Sequence, residues 1–206
     1  MSDKITWRKQ QNKDIYFRKA IDEGWRSRAV FKLKQINEKA HILKNGMICI
    51  DLGSSPGSWS QFVSREMNGN VQIFAVDLIP MDKIQSVNFM QGDFTDEKFY
   101  SNLLETIKNK EVDLVMSDMA PNISGVKVSD QAKSIYLAEL ARGIALDTLK
   151  VRGNFVCKLF HGQGMDQFVK ETREQFEKVD LFKPRASRKE SSEIFLIAKH
   201  FYGKSV

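Results

Sequence analysis

Short apolar runs rich in β-branched residues return along this chain with helical or loop segments between them: MICIDLG (47–53), VQIFAVDL (71–78), VNFMQGDF (87–94), VDLVMSDM (112–119) and GNFVCKLF (153–160). Strands that alternate with helices pair in parallel, and the sheet they form is covered on both faces. Two further runs, KVDLFK (178–183) and SSEIFLIAKHF (191–201), are separated only by the short basic stretch PRASRKE. A parallel crossover needs a dozen or more residues, so these two strands must be antiparallel. The expected fold class is α/β: a seven-stranded, mostly parallel sheet with one antiparallel strand and helices on both faces. At 206 residues and 42% hydrophobic, the chain suffices for one well-buried core and is short for two.

Cys49 and Cys157 each lie inside an apolar run, where a thiol behaves as a small hydrophobe, so the chain is expected to hold no disulfide and to work in a reducing compartment. The N-terminus is polar, without the apolar stretch of a signal peptide, and no run approaches membrane-spanning length. A cytoplasmic protein with no membrane partner is expected. No stripe marks a dimer interface, so the default is a monomer. The net charge of +6 is concentrated at one end: residues 1–34 hold ten Lys and Arg against four acids, and the remainder balances at 22 and 22. Trp7, Tyr16, Phe17 and Trp25 are interleaved with those charges. Such a segment suits a phosphate backbone and stackable bases, and equally a solvated extension. Residues 1–25 are read as a basic N-terminal extension and 26–206 as a single domain.

Ahead of the first strand, RSRAVFKLKQINEKA (26–40) has the period of a helix, with Ala29, Leu33, Ile36 and Ala40 on one stripe. Lys32 falls about 40° from Ile36, at the border of that stripe, where it buries its stem and aims its amine into the fold.

The segment DLGSSPGSWSQFV (51–63) joins the first strand to a helix. Ligands of open α/β sheets bind beyond the carboxyl ends of the strands, and Gly53 and Gly57 let backbone approach one closely there. The spacing is not the G-x-G-x-x-G of dinucleotide sites, and no P-loop lysine follows, so a pyrophosphate is a poor fit. Asp77 ends the second strand, 24 residues after Gly53, where a carboxylate accepts from ribose hydroxyls. Asp93 ends the third, where it accepts from an exocyclic amine. Asp118, at the end of the fourth in SDMAPN, would stabilise a cation such as a sulfonium. Each acid alone equally caps a helix or closes a turn, but three consecutive strand ends carrying Asp (51, 77, 93) favour a nucleoside cofactor.

Taken together, DLGSSPGSWSQFV, SDMAPN, the CKLF strand and the SSE strand start resemble the FtsJ/RrmJ family of RNA ribose 2′-O-methyltransferases, from RSRAVFKL to the last strand. The resemblance implies a Rossmann-like methyltransferase fold that uses S-adenosyl-L-methionine, with no metal. It implies a catalytic tetrad of Lys32, Asp118, Lys158 and Glu193, and cofactor contacts from Gly57, Trp59, Asp77, Asp93 and Asp118. One departure stands out. The family commonly has adjacent glycines where this chain reads Pro56-Gly57-Ser58-Trp59, and a positive φ at position 58 would strain serine.

In such a site Lys158 acts on the ribose hydroxyl as general base or as stabiliser of the developing alkoxide. Burial and Lys32 favour the neutral amine, Asp118 and Glu193 the ammonium, and the residues alone leave both roles open. Asp118 would stand between cofactor and hydroxyl, with Lys32 and Glu193 as orienters. Without the resemblance, Lys158 and Glu193 read as a cross-strand ion pair. Arg185, Arg188 and Lys189 are candidate phosphate contacts, and Lys127 is a substrate contact or a solvated loop charge. The expected partner is ribosomal RNA or the large ribosomal subunit, and not DNA, since the chemistry needs a 2′-hydroxyl. The implied substrate is a uridine of large-subunit RNA. The alternatives are a tRNA or mRNA-cap ribose, and a non-catalytic RNA-binding assembly factor.

Overall fold

A computed structural model describes residues 14–122 and 124–204. Seven strands, β1 (Ile48–Leu52), β2 (Gln72–Asp77), β3 (Val87–Gln91), β4 (Val112–Ser117), β5 (Leu149–Phe160), β6 (Phe176–Phe182) and β7 (Glu193–Phe201), form one sheet in the order β3-β2-β1-β4-β5-β7-β6. Neighbours from β3 to β5 are parallel. Only β7 runs the other way, antiparallel to both β5 and β6. The strand order reverses between β1 and β4, which puts the switch point at their carboxyl ends.

Among the described residues six helices cover the sheet: α1 (Ile15–Asp22), α2 (Val30–Ala40), α3 (Ser58–Glu66), α4 (Glu97–Ile107), α5 (Lys127–Thr148) and α6 (Met165–Arg173). Alternation along each strand sends side chains to two separate cores. One face packs Ile50, Val115, Cys157 and Leu196 beneath α4, α5 and α6. The other packs Cys49, Leu114, Val156 and Phe195 beneath α1, α2 and α3. The two cysteines are therefore buried on opposite faces and both are free. Burial pushes the Cys157 thiol up to about 12, which leaves it inert at neutral pH. Among the described residues no helix is long and apolar enough to cross a membrane.

Two boundaries differ from the sequence reading. Strand β5 begins at Leu149, directly after α5, whereas the apolar run begins at 153, because the intervening KVRG is charged and carries a register irregularity against β4. Helix α2 begins at Val30, not residue 26. The chain enters the helix through three-residue turns instead: the carbonyls of Ser27, Arg28 and Ala29 accept from the N–H groups of Val30, Phe31 and Lys32 at 3.4, 3.2 and 3.1 Å. Side chains add to these, as Ser27 Oγ accepts from Ala29 N at 3.2 Å and Trp59 Nε1 donates to Ala29 O at 2.9 Å. Residues 26–29 thus form a strap lying along α3.

Of the N-terminal segment, residues 1–13, with Trp7 and four of its basic side chains, lie outside the described residues. The part that follows is docked. Asp14 caps α1, accepting from Tyr16 N and Phe17 N. Ala20 is buried, Tyr16 packs on Phe31 at 5.4 Å between ring centroids, and Trp25 packs on Phe62 at 6.1 Å. Tyr16 and Trp25 are committed to the protein's own packing, not left as open platforms for bases. Arg28 continues the tether, donating to Asp14 and to the carbonyl of Ala186.

Candidate active site

Residues Lys32, Asp118, Lys158 and Glu193, spread over 161 positions of sequence, meet at the carboxyl end of the sheet on the α2 face. Each arrives by a different element. Lys32 reaches over from α2 with its Nζ 5.6 Å from the Phe195 ring centroid, stem buried and amine inward as its angular position predicts. Asp118 is the first residue beyond β4. Lys158 and Glu193 are brought together by register: Glu193 lies opposite Phe160 and Lys158 opposite Phe195, so all four side chains emerge on one face.

The charges alternate. Lys158 Nζ lies 3.0 Å from Asp118 Oδ1 and donates also to the Asp118 carbonyl at 2.5 Å. Asp118 Oδ1 is 3.5 Å from Lys32 Nζ, which donates to Glu193 Oε2 at 3.1 Å. Lys158 is only 6% exposed in its side chain, so its desolvation is offset only because a carboxylate and a carbonyl both accept from it. The cross-strand ion pair expected without the family resemblance is not what forms: Lys158 pairs with Asp118, and Glu193 pairs with Lys32. Two groups at the site are left incomplete. Glu193 Oε1 and Ser54 Oγ are both buried without a hydrogen-bond partner from the protein, which leaves them to water or to a ligand.

The glycine loop closes over the ends of β1 and β2. Gly57 takes φ 102° as it enters α3, and a Cβ there would stand 2.7 Å from both Ile84 Cδ1 and Met81 Sδ. Ser58 is the first residue of α3 and has no positive φ, so the substitution of serine for a second glycine introduces no strain. Instead Ser58 Oγ hydrogen-bonds Ser27 Oγ at 2.6 Å, tying the helix start to the strap. Trp59 is 3% exposed, packed on Phe195 at 5.8 Å. Its N–H is already used, so it walls the site instead of donating into it.

Asp77 accepts from Ser55 N and Ile79 N, both at 2.8 Å, and so shapes the glycine loop while keeping lone pairs for a further donor. Asp93 lies two residues beyond the end of β3 and closes a turn by accepting from Thr95 N and Oγ1 on Oδ1. Neither acid contributes to the small cavity at the switch point, about 60 Å³, whose walls include Asp51, Gly53, Ser54, Trp59 and Asp118. Asp51, by sequence one of the strand-end acids, is buried within β1 and accepts from Ser60 Oγ at 2.7 Å. Burial raises its carboxyl to about 7 against the opposing hydrogen bond from Ser60, with Asp118 and Asp77 adding to the rise. A larger cavity of about 440 Å³ between α4 and α5 shares no residue with the tetrad.

Three participants escaped the sequence reading: Ser54, Ser60 and Arg26. Ser60 had only the signal that it shares with Gln61, a polar residue among Trp59, Phe62 and Val63 one turn from the glycine loop. Ser54 and Arg26 had none that separates them from ordinary loop residues. The side chain of Lys127, which begins α5, lies outside the described residues. Arg185, Arg188 and Lys189 are exposed between β6 and β7, on the connection that leads into Glu193.

A doubly covered α/β sheet of this strand order, with acids at consecutive strand ends and a buried lysine–carboxylate cluster at the switch point, defines a Rossmann-like enzyme of the methyltransferase class. Comparison with known proteins narrows this. A family model described as FtsJ-like methyltransferase matches residues 25–201, and the chain belongs to that family. Proteins named ribosomal RNA large subunit methyltransferase E are similar along nearly their whole length. That of Pseudomonas aeruginosa is 46% identical over 198 residues, covering 96% of each chain. That of Cellvibrio japonicus is 43% identical over 197 residues, covering 96% of this chain and 93% of its own. A solved structure from Plasmodium falciparum, described as a ribosomal RNA methyltransferase, superposes with a TM-score of 0.79 at 27% identity, covering 87% of this chain and 100% of its own. A fibrillarin/Nop5p complex shares the fold alone, with a TM-score of 0.59 at 18% identity over 85% of each chain.

Proposed function

We propose that this enzyme transfers a methyl group from S-adenosyl-L-methionine to the ribose 2′-hydroxyl of a uridine in large-subunit ribosomal RNA, in the cytoplasm and as a monomer. The observation that carries the reading is the buried alternating tetrad with Glu193 Oε1 left unpaired beside it. The residues at the strand ends fit the donor: a glycine turn for its amino-acid tail, Asp77 with spare acceptor capacity for a ribose, Asp93 with its Oδ2 for an amine, and Asp118 for a sulfonium. The unpartnered Ser54 Oγ adds one more polar group to that wall. The relatives named for the large ribosomal subunit support the choice of substrate over a tRNA or a cap.

Bound S-adenosyl-L-methionine supplies an activated methyl and a neutral thioether leaving group. The protein's part is to hold the 2′-oxygen in line and to manage its proton. Asp118 fixes the Lys158 amine at two points, the carboxylate and the carbonyl. Either protonation form then presents one remaining position to the hydroxyl, a lone pair that accepts the proton or an N–H that stabilises the alkoxide. Lys32 orients Glu193 through Oε2 and leaves Oε1 unengaged, so that where Lys158 is the N–H donor it is Oε1 that accepts from the substrate hydroxyl. Phosphates would meet Arg185, Arg188 and Lys189, all exposed beside the β7 start.

The test is transfer of labelled methyl to undermethylated large subunits by wild type and Lys158→Ala, with the modified nucleotide mapped. Loss of transfer in the variant and label on a uridine ribose are expected. Equal transfer by both would refute the catalytic role, and none by either would favour a binding protein.

A further inference from the structure

Arg26 belongs by charge to the basic N-terminal stretch, yet its guanidinium is engaged by backbone carbonyls of the protein itself. NH1 donates to the carbonyls of Pro56 and Asp82, each at 2.9 Å, and NH2 donates to the carbonyl of Lys83 at 2.9 Å. Pro56 lies in the glycine loop. Asp82 and Lys83 lie in the β2–β3 connection that follows Asp77. One side chain from the strap therefore joins both loops on which the proposed donor site is built.

The two loops are pinned again on the other side, where Asp77 Oδ2 accepts from Ser55 N. Between these pins lies Gly57, where a Cβ would stand 2.9 Å from Arg26 NH1. The absent side chain at 57 is what lets the guanidinium press against the turn. The strap is itself held along α3: Arg26 N donates to Gln61 Oε1 at 3.0 Å, Gln61 Nε2 donates to Gly24 O at 3.0 Å, and Arg65 stacks over Trp25 at 4.5 Å. Arg26 is thereby anchored at its backbone before it reaches across. A planar fork with several fixed donors is suited to three carbonyls at once; a lysine ammonium on a flexible stem is not.

We propose that Arg26 is a positioning residue for methyl-donor binding, clamping the glycine loop to the β2–β3 connection so that the donor meets a preformed site. This rests on the reading above that these loops hold S-adenosyl-L-methionine. It separates Arg26 from its basic neighbours: its task concerns the donor and not the RNA. Since it touches none of the tetrad, it acts on donor affinity and leaves the chemical step alone.

The experiment titrates S-adenosyl-L-methionine into the full-length wild type, Arg26→Met and Arg26→Lys in the absence of RNA, with thermal unfolding of each donor-free protein alongside. Methyl-transfer kinetics and RNA binding follow on the same proteins. Arg26→Met is expected to weaken donor binding about tenfold and to raise the donor KM in parallel, with kcat within about twofold and RNA affinity unchanged. Arg26→Lys, which keeps the charge and part of the hydrogen bonding, is expected to fall between and to serve if the Met variant fails to fold. Wild-type donor affinity in both folded variants would overturn the proposal, most plainly if RNA binding weakened instead. If wild type itself takes up no S-adenosyl-L-methionine, the donor reading fails first, and the proposal with it.

Discussion

Replacing both members of the Lys158–Asp118 pair should restore stability that either replacement alone removes, without restoring catalysis. With both lysines protonated and both acids ionised, the four charges of the tetrad sum to zero. Lys158→Met leaves Asp118 and Glu193 against Lys32 alone, a net buried negative charge. Asp118→Asn takes away the carboxylate charge that lies 3.0 and 3.5 Å from two ammoniums and leaves them against Glu193 alone. Breaking a buried pair from one side costs about 3 kcal/mol, which for a chain of this size lowers Tm by roughly 6–12 °C. The double substitution keeps the Lys32–Glu193 pair at 3.1 Å and returns the cluster to neutrality. It should therefore melt above the additive expectation by about 2 kcal/mol of coupling. Methyl transfer should fall at least ~100-fold in all three, since the base or alkoxide stabiliser is gone or misplaced. Calorimetry of the four proteins and single-turnover transfer to undermethylated subunits provide the measurements. Unfolding energies that add within about 0.5 kcal/mol would refute the coupled cluster, and transfer by Lys158→Met above a tenth of the wild-type rate would refute its role.

Gly57→Ala should raise donor KM and destabilise the fold by about 1–3 kcal/mol, because a φ of 102° and contacts of 2.7 Å with Met81 and Ile84 both oppose a Cβ; steady-state kinetics and urea unfolding check it. Asp51, with its carboxyl raised to about 7 by burial, makes the folded chain hold a proton that the unfolded chain releases from about pH 4 upward. Stability should fall as pH rises through about 4 to 7, by at most ~1.4 kcal/mol per pH unit, and the fall should flatten in Asp51→Asn when urea unfolding is followed across that range. Changing Arg185, Arg188 and Lys189 together to Gln should weaken RNA binding and reduce the slope of log affinity against log salt by about 2, with donor binding unchanged by titration.

Periodicity and connection length determined the sheet. Seven strands, and the reversal of the last, followed from apolar runs and a connection too short for a crossover, because burial patterns and chain reach are local properties. Strand and helix edges were less legible. KVRG at 150–153 carries no apolar signal, yet pairs because α5 runs straight into β5. RSRA at 26–29 has helical period, yet it enters the helix through three-residue turns to which Ser27 and Trp59, a partner 30 residues away, add side-chain bonds.

The site divided along the same line. The residue types were present in the motifs, and the angular position of Lys32 on its helix already aimed it inward. What no spacing encodes is which charge meets which: Lys158 with Asp118 across 40 residues, and Lys32 with Glu193 across 161. Those pairings, the buried Asp51 and the anchored Arg26 were decided by tertiary structure, because strand order and loop closure choose neighbours that the sequence keeps far apart. By itself the sequence determined that a glycine loop, strand-end acids and a lysine in an apolar strand would share one end of one sheet. Packing determined how their charges are balanced and which polar atoms are left for a ligand.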